Sequence, residues 1–366
     1  VDKFKEKYGI DVKIDLIDEA QYISIIAGSI AAGTQGDVIF VNGTFPGSLT
    51  VMQPLDAAQL DLSDPIWDQF AIQSSSIDGH PYLVNTVSNV WSEVDICVYN
   101  KNLFESNGIT TPAEYYEQGK WTIDAFKKAC QDIKALGKDY LGAAVLGDAF
   151  LGGCGVGVFG YENGEFKVTV NDKFYDCMSF LAELATEGLI NPGRGNFADG
   201  RTGMAITNCF ALKKTGYFST MNPDHIGATY LPKYDENSDY QISGIYRGWG
   251  LIRGSKNPVA AGIFLREYLD VNNYDLDNTF HSDELANFFF QVTNDITSGK
   301  NFYYTDGLIN ATGIGEKFEQ KYEGSPSDVI TYIESQLNVM NNMASKGNEI
   351  IASEKKWLSD NYGSAS

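Results

Sequence analysis

Apolar positions in the first hundred residues fall into two alternating rhythms. Around 20–33, Tyr22, Ile25, Ile26, Ser29 and Ile30 recur at helical spacing and predict a helix with one face against a core. A helix near 1–8 precedes it, and residues 11–17 between the two predict a strand. Asp37 to Val41 is a short apolar, β-branched run, the mark of a strand buried on both faces. It stops abruptly at Asn42, Gly43 and Thr44, and an aromatic, Phe45, follows. Asn-Gly is ordinary turn chemistry anywhere, but in open α/β sheets ligands also sit outside the carboxyl ends of strands. Both readings stand at this point. A helix over 63–75 and an extended stretch over 81–99 continue the alternation, with Asp78-Gly79 in "SIDGHPYLVN" as a hairpin turn.

From about 102 onward the pattern becomes more helical. Thr122 caps a stripe of Ile123, Phe126, Ala129, Cys130, Ile133 and Leu136. Asn171 caps a second, with Phe174, Cys177, Met178, Leu181 and Leu184 on one face and Gly188 at its end. "RTGMAITN" and "HIGATYLP" read as strands, 258–270 as a helix, and 326–344 and 346–361 as two further helices. No repeat or low-complexity linker divides the chain. A two-lobe protein without linkers crosses between its lobes more than once.

Composition narrows the function classes. The 366 residues suffice for two domains with substantial cores. Lys+Arg 27 against Asp+Glu 48 leaves a net charge of −21, which disfavours nucleic acid and anionic membrane surfaces. Cys97, Cys130, Cys154, Cys177 and Cys209 are odd in number and widely spaced, so they fit small buried hydrophobes better than a zinc or disulfide pattern. No uninterrupted apolar stretch reaches the roughly 18 residues of a membrane span. The sequence opens in mid-helix at "VDKFKEKYGIDVKIDL", and an export signal and one strand are expected upstream.

Catalytic and metal chemistry find little support. His80, His225 and His281 are isolated from one another. "NYDLDNTFHSDE" (273–284) sets Asn273, Asp275, Asp277 and Glu284 at calcium-loop positions, but Asn278 stands where that loop needs glycine, so a solvated loop is expected. There is no G-x-S-x-G, no P-loop and no G-x-G-x-x-G opening a helix, and "GGCGVGVFG" has no helix after it. No cofactor is expected.

Six segments, in order, resemble the extracellular solute-binding proteins of ABC importers, in the cluster that takes up sugars and oligosaccharides. They are "VDKFKEKYGIDVKIDLI", "IAAGTQGDVIFVNGTFPGSLTVMQPLD", "IDGHPYLVNTVSNVWSEVDICVYNKNLFESNGI", "PAEYYEQGKWTIDAFKKAC", "FADGRTGMAIT" and "IGATYLP…GWGLIRGSKNP". The resemblance implies a two-lobe α/β fold of the periplasmic-binding-protein kind (type II), closing on a ligand between lobes. Mapped here, lobe one is 1–99 with 252–303 and lobe two is 104–245 with 309–366, with crossovers near 100–103, 245–251 and 304–308. It also implies an extracytoplasmic, lipid-anchored or periplasmic monomer that serves membrane subunits of an importer. This chain departs from the family at Asn85, where proline is usual, and at Phe210, where many relatives carry tryptophan.

Sugar recognition needs rings for the C–H faces of pyranoses and polar groups for the hydroxyls, because an unpaired buried hydroxyl is costly. Phe45, Phe210 and Trp249 are the stacking candidates, and Arg247 offers a fork to adjacent hydroxyls. Asn42, Thr44, Asn85, Thr86, Asp148, Phe150 and Asn208 complete the expected site. Tyr22, Trp91 and Trp121 are secondary, while Trp67 and Trp357 read as core. Each has an ordinary structural reading beside it: packing for the rings, a salt bridge for Arg247, a solvated turn for Asp148. The alternatives are the same fold with ferric iron on Tyr115, Tyr116, Tyr303 and Tyr304, the same fold with a polyamine, or a glycoside-active enzyme with a carboxylate pair.

Overall fold

Strands in the computed structural model gather into two principal sheets. The structure describes residues 1–18, 21–42, 46–86, 94–162, 164–193, 197–245, 247–270, 279–297, 302–305 and 324–363. In chain order, β1 (Val38–Asn42) and β2 (Met52–Gln53) precede the hairpin β3 (Ser76–Ile77) and β4 (His80–Pro81). Next come β5 (Asp95–Asn100), β6 (Leu141–Val145), the hairpin β7 (Phe159–Glu162) and β8 (Glu165–Val168), and β9 (Ile190–Pro192). They are followed by β10 (Thr202–Asn208), β11 (Ile226–Thr229), β12 (Ile242–Ile245), β13 (Arg247–Ile252) and β14 (Phe302–Thr305).

Contacts divide the chain into two units. The first holds 1–90, 247–274 and 347–366, and the second holds 91–246 and 275–346. These boundaries differ from the expected ones in three places. Residues 95–100 and the helix Asp283–Thr297 belong to the second unit, because β5 pairs with β10 and β11 and that helix packs on β11. The tail beyond 347 belongs to the first unit, where its side chains are anchored. Helices expected over 326–344 and 346–361 are one continuous helix, Pro326–Tyr362. Gly347 inside it costs only about 1 kcal/mol relative to alanine.

In the first unit β1, β13 and β2 form an antiparallel sheet with β13 in the middle. Leu251 from β13 joins Leu265 and Leu269 at the end of helix Pro258–Tyr268, and Leu55, Trp67 and Val84 fill the same core. Gly250 is required, since a Cβ there would overlap the Met52 methyl and the Tyr82 carbonyl. Asp78 (φ 49°) and Gly79 (φ 83°) make the expected hairpin turn, with positive φ at both central residues. The helix expected over 63–75 is reduced to Gln69–Ser74. Asp61 accepts from the Ser63 N–H (3.1 Å) and Asp64 from the Ile66 N–H (3.0 Å), and these turns hold the chain out of a helix. The strand expected over 11–17 is absent. Residues 11–18 have no regular structure and Leu16 is 96% exposed, because no described strand pairs with them and an alternating pattern needs a ladder.

The second unit carries a five-stranded sheet in the order β11-β5-β10-β6-β9. β6, β9 and β10 run parallel, while β5 is antiparallel to both β10 and β11. Every residue of β5 is buried, as expected for a strand flanked on both sides. Helices Ile123–Ala135 and Asp172–Thr186 follow the sequence pattern, with the Thr122 and Asn171 side chains accepting from the Ala125 and Phe174 N–H groups. All five cysteines are buried free thiols. Among the described residues no helix is long and apolar enough to cross a membrane.

One largely buried cluster holds residues 347–362 within the first unit. Tyr82 Oη donates to Glu354 Oε1 (2.5 Å) and Arg253 Nη2 to Glu354 Oε2 (2.5 Å). The Arg253 guanidinium also donates to the Met52 and Leu49 carbonyls (2.8 and 3.0 Å) and lies 4.5 Å from the Trp357 ring centroid. Burial, and then the Glu354 hydrogen bond, push the Tyr82 phenol far above its ordinary value, so it stays a donor. Glu354→Ala is expected to cost about 1–3 kcal/mol by removing the charged acceptor of Tyr82 and of the partly exposed Arg253, against about 1 kcal/mol for Tyr82→Phe. Urea denaturation measures both.

Asp37 plays a comparable part at the start of helix Pro258–Tyr268. It accepts from Ser255 Oγ (2.6 Å), the Asn257 N–H (3.0 Å) and Asn257 Nδ2 (3.3 Å). Burial opposes its ionisation most strongly, but these hydrogen bonds and one from the Lys256 backbone together hold the carboxyl below its ordinary value. A carboxyl lowered on folding stabilises above its unfolded pKa of about 3.9 and loses that contribution as pH falls through the folded value. Asp37→Asn is therefore expected to lower stability at neutral pH and to match the parent in strong acid, as read from melting temperature against pH.

Candidate ligand-binding site

In the second unit, the direction of the strands decides where polar groups collect. Because β6, β9 and β10 are parallel, their carboxyl ends share one edge, with Val145 beside Ile206 and Asn208 beside Asp95 on the antiparallel β5. Past β6 the chain enters the short helix Gly147–Gly153, with a half-buried Asp148 in its first turn. Past β10 the Asn208 side chain accepts from the Phe210 N–H (3.2 Å) and bends the chain into the 3-10 turn Cys209–Leu212. That turn leaves the Phe210 ring half-buried, edge-on to Tyr217 (5.1 Å), with the Lys213 ammonium 5.8 Å from its centroid. Asp95 Oδ2 accepts from Ser243 Oγ (2.8 Å) at the same edge. Sequence reasoning passed over this pair, although Asp95 is an acidic residue opening an otherwise apolar strand.

Phe150 is a correction. Its ring is fully buried between Phe126 (5.3 Å) and Phe180 (6.0 Å, stacked), so protein already occupies both sides. Trp121 is likewise core, its indole N–H donating to the Tyr230 carbonyl (2.9 Å).

In the first unit β1 ends where β13 begins, with Asn42 opposite Arg247 in the ladder. Asn85 is buried and fully used: Nδ2 donates to the Arg247 carbonyl (3.0 Å) and Oδ1 accepts from the Thr86 N–H (2.9 Å). It positions the neighbours of the edge. Thr86 is equally buried and bridges to Trp67, which is core as expected. Trp249 exchanges both backbone hydrogen bonds with Val84 (2.8 and 2.9 Å). Its half-buried ring meets Phe40 across the ladder (4.9 Å) and Tyr268 of the covering helix (5.4 Å). Phe40 is 39% exposed and was not anticipated, since it sits inside a run read as buried on both faces. Tyr22 is buried, and Trp357 lies under Arg253. Thr44, Phe45 and Trp91 lie outside the described residues.

Metal chemistry gains nothing from the structure. Among the described residues no group of three or more His, Cys, Asp or Glu could hold an ion. Of the 273–284 loop, 273–278 lie outside the described residues, and Glu284 is paired with Lys101 Nζ (2.7 Å). Tyr116 is stacked on Tyr230 (4.8 Å) and Tyr115 on Trp121 (6.1 Å). Burial, with Asp295 nearby, pushes the Tyr116 phenol up to about 12, which opposes the phenolate an iron ligand must be. The side chains of Tyr303 and Tyr304 lie outside the described residues.

The turn that carries Phe210 has a specific vulnerability. Gly216 packs so closely beneath it that a Cβ would overlap the Phe210 carbonyl. Gly216→Ala is expected to cost about 1–3 kcal/mol, as overpacking does, and to alter the near-UV circular dichroism of the Phe210–Tyr217 pair. An unchanged spectrum and melting temperature would show the turn to be pliable.

The architecture recurs in solved structures. The galacto-N-biose/lacto-N-biose I-binding protein of an ABC transporter from Bifidobacterium longum, in complex with lacto-N-biose, superposes with a TM-score of 0.69 at 15% identity, covering 96% of this chain and 92% of the other. An ABC substrate-binding protein from Listeria monocytogenes in complex with cycloalternan gives 0.66 at 15% identity, covering 96% and 94%. Maltose-bound MalE3 of T. maritima gives 0.67 at 14% identity, covering 93% and 94%. At such identities the likeness fixes the fold, which is α/β in two units. No curated protein matches the chain. The profile of one family does match, along residues 1–270 and so through most of both units, and this chain therefore belongs to the bacterial extracellular solute-binding proteins.

Proposed function

We propose that this solute-binding protein captures a carbohydrate, an oligosaccharide, without altering it, and delivers it to the membrane subunits of an ABC importer. It works as a monomer outside the cytoplasmic membrane, held by a lipid anchor or free in a periplasm. The observation that carries the ligand class is the edge of the second unit's sheet. There the half-buried Asp148 and the partly exposed Phe210 ring follow the ends of β6 and β10. Asn208 and Asp95 are buried and hold that edge through hydrogen bonds accepted from the Phe210 N–H and the Ser243 hydroxyl. Planar polar groups next to a ring face are what a pyranose needs: hydroxyls find partners and the C–H face finds a π surface. In the first unit Arg247, which opens β13 opposite Asn42 in the ladder, and the half-buried Trp249 ring paired with Phe40 supply the same combination. The sugars carried by the structural relatives, lacto-N-biose, cycloalternan and maltose, support the reading.

Phe210→Ala is expected to weaken binding by about 1–3 kcal/mol, taking ring stacking on a sugar as comparable to ring stacking on a base, with the melting temperature of the free protein unchanged. Trp249→Ala is expected to weaken binding similarly and also to lower stability, because its ring packs against the unit's core. Titration calorimetry with maltotriose, lacto-N-biose and chitotriose reads the first effect, and chromatography of the recovered sugar reads its integrity. Spermidine and ferric citrate serve as controls. Saturable heat from a control with silence from every sugar would overturn the assignment, and cleaved sugar would favour a glycoside-active enzyme.

A further inference from the structure

In the second unit the short helix Gly147–Gly153 packs against the helix Asp172–Thr186. Phe150 and Cys154 are four residues apart, and Cys177 and Phe180 three apart, so each pair shares one face of its helix. The Phe150 ring stacks on Phe180 (6.0 Å). One turn away, the Cys154 and Cys177 thiols are hydrogen-bonded to each other. Two neighbouring side-chain pairs thus set the helices in register, and the second of them is sulfur against sulfur.

Both backbones are fixed at this point. The Cys154 N–H donates to the Phe150 carbonyl (3.2 Å) and the Gly155 N–H to the Gly152 carbonyl (2.9 Å). Gly155 follows with a left-handed φ of 70°, which ends the short helix. Cys177 stands in mid-helix, fully buried, and Cys154 is 2% exposed. A disulfide stores strain wherever its two backbones are wrongly spaced. Helices already held together by a ring pair, with their thiols in contact, meet that requirement. A metal does not explain the pair, since among the described residues no group of three or more His, Cys, Asp or Glu could hold an ion.

Timing follows from the chemistry of the thiols. The hydrogen bond to Cys177, and then burial, push the Cys154 thiol well above its ordinary value, so the closed fold holds almost no thiolate. The exchange therefore belongs to the folding chain, before its core shuts. Members of this family work outside the cytoplasm, where disulfides form and persist. The oxidant is a low-molecular-weight disulfide, RSSR. The Cys154 thiolate attacks one of its sulfurs, forms a mixed disulfide and expels RS⁻. The Cys177 thiolate then attacks the Cys154 sulfur, forms the intramolecular bond and expels the second RS⁻. Two electrons pass from the cysteine pair to RSSR, and the two thiol protons end on the two RS⁻ groups.

We propose that Cys154 and Cys177 form a disulfide in the exported protein, tying the helix that carries Asp148 to the helix beside it. The bond closes the chain around the hairpin β7–β8 and stabilises the second unit by restricting its unfolded state. To test it, the full chain is reduced and unfolded in guanidinium chloride, then refolded with reduced and oxidised glutathione. Free thiols are alkylated and the protein is digested without reduction by trypsin, which cuts at Lys167 and Lys173, between the two cysteines. Mass spectrometry is expected to find the Cys154 and Cys177 peptides joined, two hydrogens lighter than their sum. The same digest of chain exported to an oxidising periplasm makes the reading independent of refolding. Reductant is expected to lower the melting temperature of the oxidised protein by about 5–10 °C and to leave that of Cys177→Ala unmoved. Unlinked Cys154 and Cys177 peptides from both preparations would overturn the proposal, as would equal linkage of either to Cys97, Cys130 or Cys209. A linked form that melts below the reduced one would do the same, because the bond would then be forced on the fold.

Discussion

Parallel strands release their chains at a common edge, and that constraint organises the second unit. β6, β9 and β10 lie side by side in one direction, so whatever follows each of them gathers on one rim. The antiparallel β5 adds the residue that begins it, Asp95, opposite the residue that ends β10, Asn208. No long-range folding of loops is needed to assemble polar groups there. The ladder register already does so, and the sheet's hydrogen bonds hold the spacing. The short helix after β6 and the tight turn after β10 then differ only in what they present, a carboxylate in one case and a ring in the other.

The first unit solves a different problem, because its sheet is assembled from segments far apart in sequence. β1 and β13 are separated by the whole excursion through the second unit, and the tail arrives later still. Such contacts close long loops, so they cost chain entropy before they stabilise anything. The polar groups that fasten them are correspondingly concentrated: Asp37 holds Ser255 and Asn257, while Arg253 joins two carbonyls of the 49–52 segment to Glu354 on the tail. Each is a charged group used on several partners at once.

Local signals in the sequence were strong wherever a side chain acts on its own neighbours. Thr122 and Asn171 cap the helices they precede, and Asp78-Gly79 turns its hairpin, because these effects span only a few residues. Pattern failed where the outcome depends on a partner. Residues 11–17 have the composition of a strand but no ladder, and Phe150 looked like a ring at a strand's end until two other phenylalanines enclosed it. The edge carrying Asn208, Phe210 and Asp148 was legible from strand ends alone, whereas Asp95 and Ser243 became visible only through the register. The pairing of Phe40 with Trp249 is of the same kind, since it requires knowing that β1 lies against β13.

The five buried thiols connect this fold to its surroundings. Burial pushes the Cys97 and Cys130 thiols well above their ordinary values, which leaves almost no thiolate to react. An extracellular protein meets oxidants that would convert an accessible thiol into a mixed disulfide or a sulfenic acid. Protection here is purely conformational: it exists while the sheets and their helices stay closed, and it vanishes for any molecule that opens. A copy oxidised at Cys97 or Cys130 while open cannot reclose its core until it is reduced, so loss by this route grows with the rate at which the molecule opens. A chain secreted slowly, or unfolded repeatedly, accumulates chemically trapped copies even when its native state is strongly favoured.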